Sequence, residues 1–156
     1  MFFYIFFVGL ILAAISCVLA ISVADFRRRI IPDAYLFPLL LIGLCMVVFC
    51  PYPVSVPDAV VGAVFGYIMS AGVGLVFEYL MRKRVDMEFP PIGMGDVKLM
   101  AVGGLWLGTT ALAVALILAG VFGGLWAHIK HQRYIPFAPF FFVGGFLSFV
   151  ICYFLI

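Results

Sequence analysis

Two aspartates stand at the edges of long apolar runs: Asp25 follows one, and Asp96 opens another inside the string Gly93-Met94-Gly95-Asp96-Val97-Lys98. A charged Asp in a membrane helix costs about 2.5–3.5 kcal/mol on insertion scales, and less near the interface, so such a residue has a partner or a task. Two carboxylates brought together cannot both ionise comfortably. They share a proton, and the pair can serve as joint general base and general acid for a water attacking a peptide carbonyl. Such a pair titrates as a unit, so neither residue is assigned as base or acid. The plainer reading is that each aspartate caps a helix or pairs with Arg27, Arg28, Arg29 or Lys98 at headgroup level. Asp96 suits a helix N-terminus, where free N–H groups and the positive dipole end meet a carboxylate. Gly93 and Gly95 weigh towards chemistry, because they leave room for another backbone, such as an extended substrate, to approach.

The elements that must hold these aspartates follow from composition. The chain is 67% hydrophobic and 10% charged, far from the roughly 45–50% apolar content of soluble domains, and this excludes a water-soluble fold. Apolar runs cover 2–24, 34–49, 59–81, 97–107, 109–127 and 136–156. At about 20 residues per crossing, they predict an all-α, polytopic membrane helix bundle of about six transmembrane helices, in one domain over 1–156. Gly103, Gly104 and Gly108 interrupt the fourth and fifth runs, and a tight turn is expected near Gly108.

The first run ends in a stretch resembling a signal-peptide cleavage site, but its positive charges, Arg27 to Arg29, follow the apolar region instead of preceding it. It therefore reads as a retained helix with the N-terminus outside. Threading the spans from there puts 25–33, 82–98 and 128–135 on one side, together with all nine Lys and Arg residues. By the positive-inside rule that side is cytoplasmic, with 50–58, the turn near 108 and both termini outside. The outer side then holds one charged residue, Asp58. Asp25 and Asp96 fall at the same depth, just within the cytoplasmic boundary.

Other features have plainer explanations. The separated basic clusters form no continuous face for nucleic acid. Cys17, Cys45, Cys50 and Cys152 read as small hydrophobes, with a Cys45–Cys50 disulfide as the alternative. Gly62-x-x-x-Gly66, Gly104-x-x-x-Gly108 and Gly120-x-x-x-Gly124 read as close packing within the bundle. Glu78 is spaced for an i,i+4 pair with Arg82. His128 and His131 share a helix face but lack a third ligand for a metal.

The string Asp25-Phe26-Arg27-Arg28-Arg29-Ile30-Ile31-Pro32-Asp33 resembles the first motif of type IV prepilin peptidases, and Gly93-Met94-Gly95-Asp96-Val97-Lys98-Leu99-Met100-Ala101 resembles their GxGD motif. Pro136-Phe137-Ala138-Pro139-Phe140 is similar to the family's Pro-Phe-Gly-Pro element, with Ala138 departing at the glycine. The resemblance implies a multi-pass aspartic endopeptidase of the inner (plasma) membrane, with Asp25 and Asp96 catalytic. It would remove the short basic leader from prepilins or pseudopilins and need no cofactor or catalytic metal. Gly93, Gly95, Lys98, Arg29, Pro32 and Asp33 are its supporting residues. Pro32 can equally start a helix, Asp33 cap it, Arg29 snorkel to phosphate, and Lys98 tune Asp96 or anchor at the interface. Longer family members carry an additional N-terminal region with a cysteine-paired zinc segment and methylate the new N-terminus. This chain begins at the peptidase core, so a short form without methyltransferase activity is expected. The rival expectation is a non-enzymatic transporter or pilus-assembly scaffold with structural aspartates.

Overall fold

The computed structural model describes residues 2–81, 92–131 and 135–155. Its helices are α1 (Phe2–Arg28), α2 (Asp33–Phe49), α3 (Val56–Met81), α4 (Met94–Lys130) and α5 (Phe137–Val150), the last running into a π-helical turn at Ile151–Leu155. Arg82 to Arg84, the Glu78–Arg82 pair and Arg133 lie outside the described residues.

Long apolar runs form helices here because a bilayer offers no water to the backbone, and a helix satisfies its own N–H and C=O groups. Four stretches among the described residues are long and apolar enough to cross: Tyr4–Arg28, Val56–Leu80, Met94–Lys130 and Phe137–Phe154, with Asp33–Phe49 shorter. Large apolar side chains cover the outside, including Phe146 at 70% and Ile129 at 72% exposure. In water such a surface would drive aggregation; in lipid it is the favourable exterior. The molecule is a polytopic membrane helix bundle.

Helix α4 has 37 residues, about 55 Å if straight, well beyond the roughly 30 Å hydrocarbon core. It is not straight. Gly108 has φ 71° and ψ 179°, a backbone conformation essentially restricted to glycine. Neighbours on either side of it establish a reversal. A Cβ placed on Gly66 of α3 would touch both Met100 and Leu112, and one on Gly62 both Gly104 and Gly108. Residues 100 and 112 therefore sit at one level, so α4 is a hairpin of two arms, 94–107 and 109–130. Counting both arms, the described residues form six helical segments.

The reversal is held by cross-chain bonds. Thr109 donates its N–H at 3.2 Å and its hydroxyl at 3.0 Å to Asp58 Oδ1, capping the second arm. Tyr52 and Tyr153 donate hydroxyls to the Trp106 and Leu107 carbonyls, each at 2.8 Å, where the first arm's C=O groups run out of helical partners. Gly62 and Gly104 let α3 and α4 meet backbone to backbone. Gly120 and Gly124 do not share that role: a Cβ on either would meet open space. Their expected part in bundle packing fails because that face of the second arm turns outward. All four cysteines are free, with no Cys45–Cys50 disulfide.

The core runs through Ile21, Leu99, Ala111, Leu112, Ala115, Ala138 and Phe141. At one end of the bundle, Ile31 meets Gly95, Phe26 meets Trp126 edge to face, and Trp126 packs on Phe140. That end therefore gathers the C-terminus of α1 and the N-termini of α2, α4 and α5.

Candidate active site

Asp25 lies in the last turn of α1 and is only 6% exposed. A carboxylate so far from water needs a donor, and the donor comes from a distant stretch of chain. The Ala138 N–H gives a 2.8 Å bond to Asp25 Oδ2. Ala138 belongs to the first turn of α5, whose N-cap, Pro136, supplies no side-chain cap. Asp25 fills that vacancy and meets the positive end of the α5 dipole. The Pro136-to-Phe140 segment is thus a backbone donor to Asp25.

The chain leaves α1 through Arg29, whose N–H donates to the Asp25 carbonyl at 2.9 Å and whose φ is 55°. A left-handed residue after a helix ends it sharply, and the Arg29 side chain stays near enough for its charge to act on Asp25. Pro32 is the N-cap of α2, and its carbonyl accepts the Tyr35 and Leu36 N–H groups. Residues 29–32 thus form a short strap between α1 and α2.

Asp96 lies in the first turn of α4 after the N-cap Gly93, and its N–H donates to the Gly93 carbonyl at 3.0 Å. Its half-buried side chain faces the Gly93 backbone, where a Cβ would stand 3.4 Å from Asp96 Oδ2. The two aspartates are close enough that the charge of Asp25 acts on Asp96. Joined to a water, such a pair can exchange one proton between its carboxyls.

The supporting residues distribute differently from expectation. Gly95 leaves no space for a substrate backbone, because a Cβ there would lie 3.0 Å from Ile31 Cβ. Its absent side chain lets the 29–32 strap lie against α4. Lys98 pairs with Asp33 at 2.6 Å rather than with Asp96. Asp33 stands in the first turn of α2, and no side chain caps that helix. The ion pair links α2 to α4 beside the aspartates, but both partners are about half exposed, 46% and 65%, so it contributes at most about 1 kcal/mol. Among the described residues, no three His, Cys, Asp or Glu side chains gather as a metal site requires. Sequence reasoning missed the Ala138 N–H. Its signal was a helix opening on Pro136 with no Ser, Thr, Asn or Asp to cap it.

The model of the type IV leader peptidase family matches residues 11–128, a stretch holding both aspartates. Among curated proteins, the chain is 34% identical over 137 residues to a prepilin leader peptidase/N-methyltransferase of Burkholderia pseudomallei (strain 1026b), covering 83% of this chain and 42% of that protein. Proteins of the same description are 32% identical in Pseudomonas putida, covering 83% of this chain and 45% of that protein, and 31% identical in Aeromonas salmonicida (strain A449), covering 83% and 44%. The chain thus spans less than half the length of these relatives. No solved structure matches it.

Proposed function

The chain belongs to the type IV leader peptidase family, and on that premise we propose that it is an aspartic endopeptidase with Asp25 and Asp96 as its catalytic pair. Its substrates are type IV prepilins or prepilin-like proteins, and it works at the cytoplasmic face of the inner membrane as one membrane domain. The observation that carries this reading is the meeting of two carboxylates, 71 residues apart in the chain, at one end of the bundle, with Asp25 near enough for its charge to act on Asp96.

In the reaction, the ionised carboxylate takes a proton from a water as its oxygen attacks the scissile carbonyl. The protonated partner gives its proton to the carbonyl oxygen, forming a neutral gem-diol. Collapse breaks the C–N bond, and the leaving nitrogen takes up a proton. One water is consumed, and the pair returns to its single shared proton. The Ala138 N–H holds Asp25 in place through the cycle, and Gly95 keeps the strap close to Asp96.

The substrate leader is basic, and complementary charge from the acidic pair helps to position it. Mass spectrometry of a prepilin incubated with the purified protein reads the reaction directly. Asp25→Asn and Asp96→Asn are each expected to abolish cleavage while the chain still inserts. Full activity in either variant overturns the pair.

The bond from Ala138 to Asp25 also suits a second reading, a scaffold or transporter with structural aspartates. That reading expects no cleaved product from the unaltered chain.

A further inference from the structure

Asp25 and Asp96 stand on different helices, and a continuous path of chain and contacts joins them. Asp25 sits in the last turn of α1, the strap 29–32 follows, and Asp33 opens α2. From Asp33 the path crosses to α4 through the 2.6 Å ion pair with Lys98 Nζ, and Lys98 is two residues beyond Asp96. The strap touches α4 on the way, where Ile31, only 9% exposed, lies against Gly95. Further along, α2 meets the same arm again: Trp106 Nε1 donates to the Leu39 carbonyl at 3.0 Å, and Gly43 leaves the indole its room.

Extending the proposed peptidase reading, on which it rests, we infer that Asp33 and Lys98 are positioning residues, a charged clasp that sets the distance between Asp25 and Asp96. Stability alone does not account for the pair. Both side chains are about half exposed, where an ion pair adds little to folding. Asp33 also has no need of Lys98 for its own sake, because a carboxylate in the first turn of α2 already meets the positive end of that helix. What the pair does fix is where α2 begins relative to α4, across 65 positions of sequence. The strap is short, so a shift of Asp33 passes to the end of α1 and to Asp25. Lys98 is not placed to act on Asp96 directly. Its amino group is given to Asp33, and side chains at i and i+2 of a helix do not face each other.

The test uses the full chain in vesicles with a type IV prepilin, with kcat, KM and the thermal midpoint measured for each variant. A misplacement of about 1 Å at a catalytic group removes on the order of a hundredfold in rate. Asp33→Asn and Lys98→Met, which free the strap at one of its two contacts, are therefore each expected to lower kcat at least about tenfold. KM should stay within about twofold, because neither side chain is assigned to the substrate. The midpoint should move by only a few degrees. Lys98→Arg, which can still reach Asp33, should keep most of the rate.

The double variant, Asp33→Asn with Lys98→Met, should lose no more than either single one, since the same contact is already broken. Losses that multiply overturn the inference. So does a rise in KM with kcat intact, which would assign the residue to substrate binding, or a midpoint that falls below the assay temperature, which would make the pair structural. A Lys98→Arg chain as slow as Lys98→Met overturns it as well. If the unaltered chain fails to cut the prepilin, the peptidase reading falls first. If it cuts, and both single variants cut as fast, only the clasp falls.

Discussion

Of the two glycines in the Gly93-to-Asp96 string, only Gly95 stands where a side chain would press on a neighbour. At Gly93 an added Cβ would meet Asp96 Oδ2 at 3.4 Å, an ordinary contact, and the residue's φ of −69° suits any side chain. Gly93→Ala is therefore expected to keep cleavage within a few-fold of the unaltered chain. At Gly95 the Cβ would press on Ile31 at 3.0 Å. Gly95→Val should push the 29–32 strap off α4, costing about 1–3 kcal/mol as an overpacked contact. A displacement near 1 Å at a catalytic group removes on the order of a hundredfold in rate, so cleavage should fall by at least that much. A double-mutant cycle of Gly95→Ala and Ile31→Ala checks the cause: a smaller Ile31 should recover much of the loss, and strictly additive losses would show that the contact is not responsible.

Among the elements, the α4 hairpin is the one whose shape a single residue decides. Gly108 combines a φ of 71° with a Cβ position already occupied by the Asp58 carboxylate. Gly108→Ala is expected to lower the thermal midpoint in detergent by the equivalent of about 1–3 kcal/mol or more. Asp58→Ala leaves the Thr109 N–H without its acceptor and should cost about 1–3 kcal/mol, whereas Asp58→Asn keeps a carbonyl oxygen there and should cost less. An equal loss in the two Asp58 variants would show that charge, not hydrogen bonding, holds the turn. The break near Gly108 was legible in the sequence because glycine clusters interrupt apolar runs for few reasons. The task of Asp58 was not, since its partner lies 51 residues away and no local pattern connects them. The same blindness covered Lys98, whose partner proved to be Asp33, and Asp25, whose donor Ala138 is 113 residues distant.

Across the whole molecule, the bundle was readable because a bilayer imposes one length and one hydrogen-bonding solution on every crossing. Orientation rests on charge. Arg27, Arg28, Lys98 and Lys130 lie at or near the helix ends that meet around Asp25, while Asp58 lies at the opposite end. Basic residues near short loops stay on the cytoplasmic side, so the aspartate end should face the cytoplasm. Replacing the four free cysteines by alanine leaves a background for single-site labelling, because none of them is bonded. In intact cells a membrane-impermeant maleimide is expected to label Ser55→Cys, beside Asp58, and to label Arg27→Cys only after permeabilisation. The reverse pattern would place Asp25 and Asp96 on the outer face, away from the cytoplasmic leader that the proposed function requires. The proposed peptidase would then have no access to its substrate, even if Asp25 and Asp96 were chemically competent.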